Sequence, residues 1–269
     1  SPMVVEMEPV GRTSTARISV YNEAERTVPF EVMMVKAEIS VDGQLTVEPA
    51  DEDFLVFPAQ ILLEGGRQQV FRIQYVGDPE LAQSQIYYMS IRQVPVDFEE
   101  EGVAQVQVVV NYNVLVNVVP PGASATPVIR TIEPVLRMVD AAPQADLAET
   151  ANEPAAAEPI ADAEQTGANV DAAITNEIDE AGAIVTEEEV PGGEVLVGNE
   201  GNRYFLAGFS TWQITGRNVD GSQFEATFRP GEIARQIGAG VVGPGRDRLF
   251  FLPLEETVDR STISIDINP

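Results

Sequence analysis

Residues 103–119 form seventeen consecutive positions without glycine or proline, and their side chains alternate strictly. Val106, Val108, Val110, Tyr112, Val114, Val116 and Val118 fall on one face, against Gln105, Gln107, Val109, Asn111, Asn113, Leu115 and Asn117 on the other. Period-two patterning of this kind specifies a β-strand. At about 3.3 Å per residue it would span roughly 55 Å, whereas a typical strand has about five or six residues. If a sheet of its own pairs only part of such a strand, the remaining edge and apolar face need another partner, because open flat edges invite strand addition. The pattern also permits a long bent strand that passes from one domain to the next.

The chain before it reads as a series of shorter strands separated by turn chemistry, with almost no helix signal. Residues 15–20 alternate Ala16, Ile18 and Val20 with Thr15, Arg17 and Ser19, and Tyr21-Asn22-Glu23 turns the chain. Further strands are expected at 30–39, 44–49, 54–57, 61–63, 68–75 and 85–94. Asp42-Gly43 marks a hairpin, since both residues tolerate positive φ. This density of short strands suits an immunoglobulin-like sandwich over residues 1–119.

Pro120-Pro121-Gly122 stops the long strand and begins a linker. Residues 139–190 then carry fourteen acidic side chains, no basic one and no aromatic. Such a stretch cannot bury enough apolar surface to offset its ordering entropy, so it is expected to be disordered. A first strand of the second half is expected near 128–138, and beyond the acidic stretch strand patterning resumes at 194–197 and continues at 204–209, 212–215, 223–228, 249–252 and 262–267. The expected architecture is all-β: two immunoglobulin-like sandwiches in a bent arrangement, residues 1–119 and 120–269, the second interrupted by the acidic insertion 139–190.

Composition removes most chemistries. Lysine and arginine number 16 against 43 aspartates and glutamates, and a net charge of −27 repels phosphate backbones and anionic leaflets. Nucleic acid is therefore not an expected partner. Without cysteine or histidine the chain has no disulfide, no Cys/His zinc site and no imidazole-activated nucleophile. The apolar runs 106–110 and 114–119 are far shorter than the roughly 20 residues of a transmembrane helix. Paired carboxylates are the only catalytic groups in surplus, and Glu99-Glu100-Glu101 and Glu187-Glu188-Glu189 read as solvated runs without calcium-loop spacing. Gly65-Gly66 and Gly243-Pro244-Gly245 read as turns between strands, and Trp212 as a core side chain. Neither catalysis, cofactor nor metal is expected.

Four motifs in order carry a resemblance: Ile18-Ser19-Val20-Tyr21-Asn22, Phe54-Leu55-Val56-Phe57-Pro58, the run from Leu62-Leu63-Glu64-Gly65-Gly66 to Ile73, and Tyr87-Tyr88-Met89-Ser90-Ile91-Arg92-Gln93-Val94-Pro95. They resemble the periplasmic pilus-assembly chaperones of Gram-negative bacteria over most of residues 4–120. The second half, through Val197-Gly198-Asn199-Glu200-Gly201-Asn202 and Gly243-Pro244-Gly245-Arg246, is similar in outline.

The resemblance implies a monomeric periplasmic chaperone, its signal peptide already removed, acting on fimbrial subunits whose own sandwich lacks a strand. The chaperone supplies that strand, a mode known as donor-strand complementation, and an outer-membrane usher is the implied second partner. The supplied strand would be 103–119, with Val106, Val108, Val110, Tyr112 and Val114 entering successive pockets of the subunit. A structural or adhesive surface protein that uses the sandwiches as spacers is the alternative.

The pattern also departs from the family. Where members place an arginine early in the first strand and a lysine near the end of the supplied strand, this chain has Glu6 or a neighbour, and Asn113 or Leu115. Val119 stands where an arginine precedes the linker proline, and no acid lies near Ser84-Gln85. The resemblance therefore implies a divergent branch, with the archaic type as one candidate, without the usual carboxylate anchor and without an interdomain salt bridge.

Overall fold

The structure is a computed structural model that describes residues 2–94, 111–140, 176–178 and 184–269. Nine strands build the first sandwich: β1 (Val4–Met7), β2 (Thr15–Tyr21), β3 (Val28–Ile39), β4 (Leu45–Pro49), β5 (Phe54–Phe57), β6 (Gln60–Leu63), β7 (Gln68–Tyr75), β8 (Gln85–Gln93) and β9 (Asn111–Val118). One sheet runs β1-β9-β8-β3-β4, with β6 also pairing β3, and the other runs β2-β7-β5. β1 joins β9 in parallel while the remaining pairs are antiparallel. Alternation delivers Ile18, Phe71, Ile73, Met34, Met89, Ile91 and Tyr87 to the shared interior, where each is fully buried.

Turn chemistry behaves as the sequence predicts. Gly43 holds φ 93° in the β3–β4 hairpin, a conformation that glycine adopts without steric cost. A side chain at Gly65 would stand 2.4 Å from the Glu25 carbonyl oxygen, so that turn tolerates only glycine. Asn22 closes the end of β2 from inside: its amide nitrogen donates to the Arg26 and Leu63 carbonyls, and its side-chain oxygen accepts from the Ala24 N–H.

The second sandwich contains β10 (Pro127–Asp140), β11 (Asn176–Ile178), β12 (Ile184–Asn199), β13 (Phe205–Leu206), β14 (Thr211–Asn218), β15 (Gln223–Phe228), β16 (Val241–Val242), β17 (Asp247–Pro253) and β18 (Val258–Asn268). β12 pairs β10, β11 and β17, and a separate sheet runs β15-β14-β18. Trp212 is fully buried there and its indole N–H donates to the Ala207 carbonyl at 2.7 Å. Asn199 repeats the part of Asn22, accepting from the Thr126 and Gly201 N–H groups and donating to the Arg203 and Val242 carbonyls.

Two expectations change here. β12 begins at Ile184, ten residues before the strand read at 194, because β10 and β12 continue as a two-stranded ribbon whose register runs from Pro127↔Asn199 to Asp140↔Glu187. β17 covers β12 only over Gly192 to Gly198, so the far part of the ribbon leaves the sandwich with Leu136 and Met138 exposed. The strand read at 204–209 shrinks to β13, since Ala207–Phe209 turns as a short 3-10 helix. Most of the acidic stretch, residues 141–175 and 179–183, lies outside the described residues, as does 95–110.

Candidate functional site: the β9 strand and its open flank

β9 changes character along its length. Over Leu115 to Val118 both edges are filled, by β1 on one side and β8 on the other. The Leu115 N–H donates to the Met3 carbonyl at 2.9 Å and the Val119 N–H to that of Met7 at 2.8 Å. Backbone groups of alternate residues point to the same edge of a strand, so those of Asn111 and Asn113 face the β1 side too. β1 starts only at the level of Leu115, and among the described residues no strand pairs that edge of residues 111–114. β8 holds their other edge through Ile91↔Tyr112 and Arg92↔Asn111.

The side chains change at the same place. Val114, Val116 and Val118 are buried in the core of the first sandwich, whereas Tyr112, next on that face, is 41% exposed. At 2% exposure Val114 packs within its own sandwich, so filling a subunit pocket would require it to leave the contacts that bury it. Val106, Val108 and Val110 lie outside the described residues. Tyr112 and Val114 line a cleft of about 530 Å³ that opens between β9 and β2, with Met3, Ile18, Val20 and Tyr21 among its other walls.

Behind β9 lies the junction of the two sandwiches. Leu115 and Val119, on the face opposite Val114, join Ala37 and Ile86 of the first sandwich and Tyr204 and Val241 of the second in one buried cluster. Glu6 accepts from the Arg203 guanidinium at 2.7 Å and from the Tyr204 hydroxyl at 3.1 Å, and Arg246 meets Glu38 at 3.3 Å. Interdomain ion pairs are therefore present, against the expectation of none. They use Arg203 and Arg246 of the second sandwich, whereas the family comparison had pointed at positions 119 and 84–85.

Burial first, then the Glu6 carboxylate, raises the Tyr204 hydroxyl above the ordinary phenol range. The Asn117 amide is fully buried beside that hydroxyl, yet neither its nitrogen nor its oxygen meets hydrogen-bond geometry. A third interdomain contact docks the β3–β4 hairpin: Arg248 donates to the Ser40 carbonyl at 3.1 Å and the Leu249 N–H to that of Val41 at 2.7 Å. Burial lowers the Arg248 pKa, partly offset by Asp42.

No cation stands at the family's anchor positions: Asn113 is exposed and Leu115 belongs to the junction. Of the substitutes considered from sequence, Arg130 is paired with Glu200 at 2.7 Å and Asp247 at 3.4 Å in the second sandwich. Arg17 points outward from the middle of β2 and Arg12 lies in a 3-10 turn. Arg203, Arg246 and Arg248 are cations at the junction, and sequence reasoning missed Arg203 because nothing local to residue 203 signals that Glu6 will stand opposite it. Among the described residues no group of three or more acidic side chains is arranged to hold a metal ion, and no helix is long and apolar enough to cross a membrane.

Residues 9–124 match the family model for the pili and flagellar-assembly chaperone, PapD N-terminal domain. No curated protein matches the chain by sequence. Among solved structures, the class 5 fimbriae chaperone CfaA is similar at 10% identity, with 100% of this chain and 97% of that chain covered and a TM-score of 0.47. A chain from the CsuC–CsuE chaperone–tip adhesion subunit pre-assembly complex of Acinetobacter baumannii archaic Csu pili gives 9% identity, coverage of 99% and 95%, and a TM-score of 0.46. One from the Salmonella enterica SafA pilin–SafB chaperone complex gives 16%, 93% and 81%, and 0.44.

Proposed function

We propose that this protein is a periplasmic chaperone that binds incomplete fimbrial subunits through β9 and the residues before it, a reading supported by the match of residues 9–124 to the family model for pili and flagellar-assembly chaperones. The observation that carries the reading is the flank of β9 at residues 111–114, where one edge has no strand partner among the described residues and the inner face opens to solvent at Tyr112. A subunit strand added there would take up the backbone groups of Asn111 and Asn113. The sequence keeps its period of two back through Val110, Val108 and Val106, so an extended chain would put them on the face of Tyr112, and these four side chains are the proposed contacts.

Valine suits the task, since its branched side chain is stiff at χ1 and favours extended backbone. Burial of four such side chains contributes roughly 6–12 kcal/mol at about 1.5–3 each, against association costs of about 4–15 kcal/mol. The two ranges overlap, so backbone pairing adds to a near-balanced sum, which suits a subunit that is held and then passed on, with an outer-membrane usher as the proposed recipient. The mechanism needs neither catalysis nor a cofactor.

The double variant Val108→Asp/Val110→Asp tests this. It should lose co-purification with a fimbrial subunit while keeping the thermal midpoint of the parent chain. Capture of the subunit at parental yield would overturn the reading.

A further inference from the structure

The outer face of the β2-β7-β5 sheet carries a feature that strand donation does not use. Register sets its side chains in rows across the strands: Thr15, Gln74 and Leu55; Arg17, Arg72 and Phe57; Ser19 and Val70; Tyr21 and Gln68. Arg17 and Arg72 are directly opposite one another, both exposed. Like charges in that relation destabilise a sheet. No acidic side chain stands in these rows, and neither arginine forms an ion pair among the described residues. In a chain with 43 acids and 16 bases, this local excess of positive charge runs against the whole.

The arginines sit in an apolar surround. Phe57 is 77% exposed, Leu55 61% and Val70 45%, although alternation buries their neighbours Phe54, Phe71 and Ile73 in the core. Contiguous exposed apolar side chains rimmed by polar ones mark interaction sites. Two guanidiniums about 5 Å apart at Cβ relieve their repulsion by sharing a carboxylate, which each can bind through paired N–H groups.

We propose that this face docks an acidic segment of a partner protein, one whose carboxylates engage Arg17 and Arg72 while its apolar side chains cover Phe57, Leu55 and Val70. Charge complementarity selects a peptide over an extended anionic surface. A membrane or nucleic acid would meet the field of a −27 molecule, whereas a short segment within a Debye length of about 8–10 Å senses chiefly the arginine pair.

The probe is a fluorescein-labelled peptide alternating Glu with Leu and Phe, titrated into the full chain and followed by anisotropy. The parent chain should bind it, and binding should weaken by about tenfold or more in Arg17→Glu/Arg72→Glu and decline as salt rises. Phe57→Ser should weaken it as well. Arg17→Gln keeps the test independent of folding, since removal of one like charge should leave the urea midpoint unchanged or higher while binding drops.

Capture of a fimbrial subunit should survive Arg17→Glu/Arg72→Glu, so failure here is distinguishable from failure of the strand reading. The proposal falls if the charge-reversed chain binds equally well, if a Gln-for-Glu peptide binds as tightly, or if the parent chain binds nothing. It falls too if binding appears only after deletion of residues 141–175, if anionic vesicles are captured in place of the peptide, or if the parent is a dimer that charge reversal separates.

Discussion

Single side chains divide the site. Val114 and Tyr112 share a face of one strand two residues apart, yet the first is enclosed by its own sandwich and the second meets solvent. Alternation placed both on that face and could not say where the sandwich ends, because burial depends on how far β1 and β2 reach. Tyrosines also set a pH limit. Burial first of all raises the pKa of Tyr75, Tyr87, Tyr88 and Tyr204, and for Tyr204 the nearby Glu6 adds to it. Unfolded phenols lose their proton near about pH 10, whereas these hold it to higher pH. Above that point the unfolded state binds fewer protons, so the stability they contribute is full below about pH 10 and is lost as pH rises further. Urea midpoints measured from neutral to alkaline pH should show the decline, and Tyr204→Phe should make it shallower; parallel curves for the two proteins would assign the effect elsewhere.

Elements were legible to different degrees, for physical reasons. β2, β5 and β7 lie where period-two patterning and turn residues put them, since each has one buried and one solvated face. β1 carries too few residues to show a period, and β13 gives way to a 3-10 turn in a segment that reads as a continuous strand. β10 lies where the sequence places a strand at 128–138, and the largest miss is the stretch of β12 before residue 194 that extends it into a ribbon. Beyond Val135↔Gly192 the side chains of Leu136, Arg137, Met138 and Glu189 are exposed, and long-range pairing defines the ribbon. Asp140 and Glu187 are direct partners at its far end. Replacement of residues 141–186 by Asn-Gly should therefore close the ribbon with a two-residue turn of the favoured primed type. Chemical denaturation should place the shortened chain within about 0.5 kcal/mol of the parent, as for changes remote from a core; a larger loss would mean that the excised segment supports the sandwich.

At the scale of the molecule the two sandwiches hold each other through a buried cluster, two ion pairs and two backbone hydrogen bonds, from Leu249 to Val41 and from Ser84 to Asn202. The Arg203–Glu6 pair is partly exposed and the Arg246–Glu38 pair mostly so, and such pairs are worth about 0–1 kcal/mol each, so the apolar cluster dominates. Tyr204→Ala should accordingly lower the thermal midpoint more than Arg203→Ala, and equal losses would shift the weight to the charges. None of this was visible in the sequence, where the residues that meet, Glu6 with Arg203 and Glu38 with Arg246, are about two hundred positions apart. The same cluster has a consequence for dissection. Leu115 and Val119 belong at once to the last strand of one half and to the seam with the other, so cutting after position 119 would bare a greasy scar, and the liberated piece should clump in solution. By the same token a calorimeter should record one heat-absorption peak for the intact protein, with both halves melting as a single body.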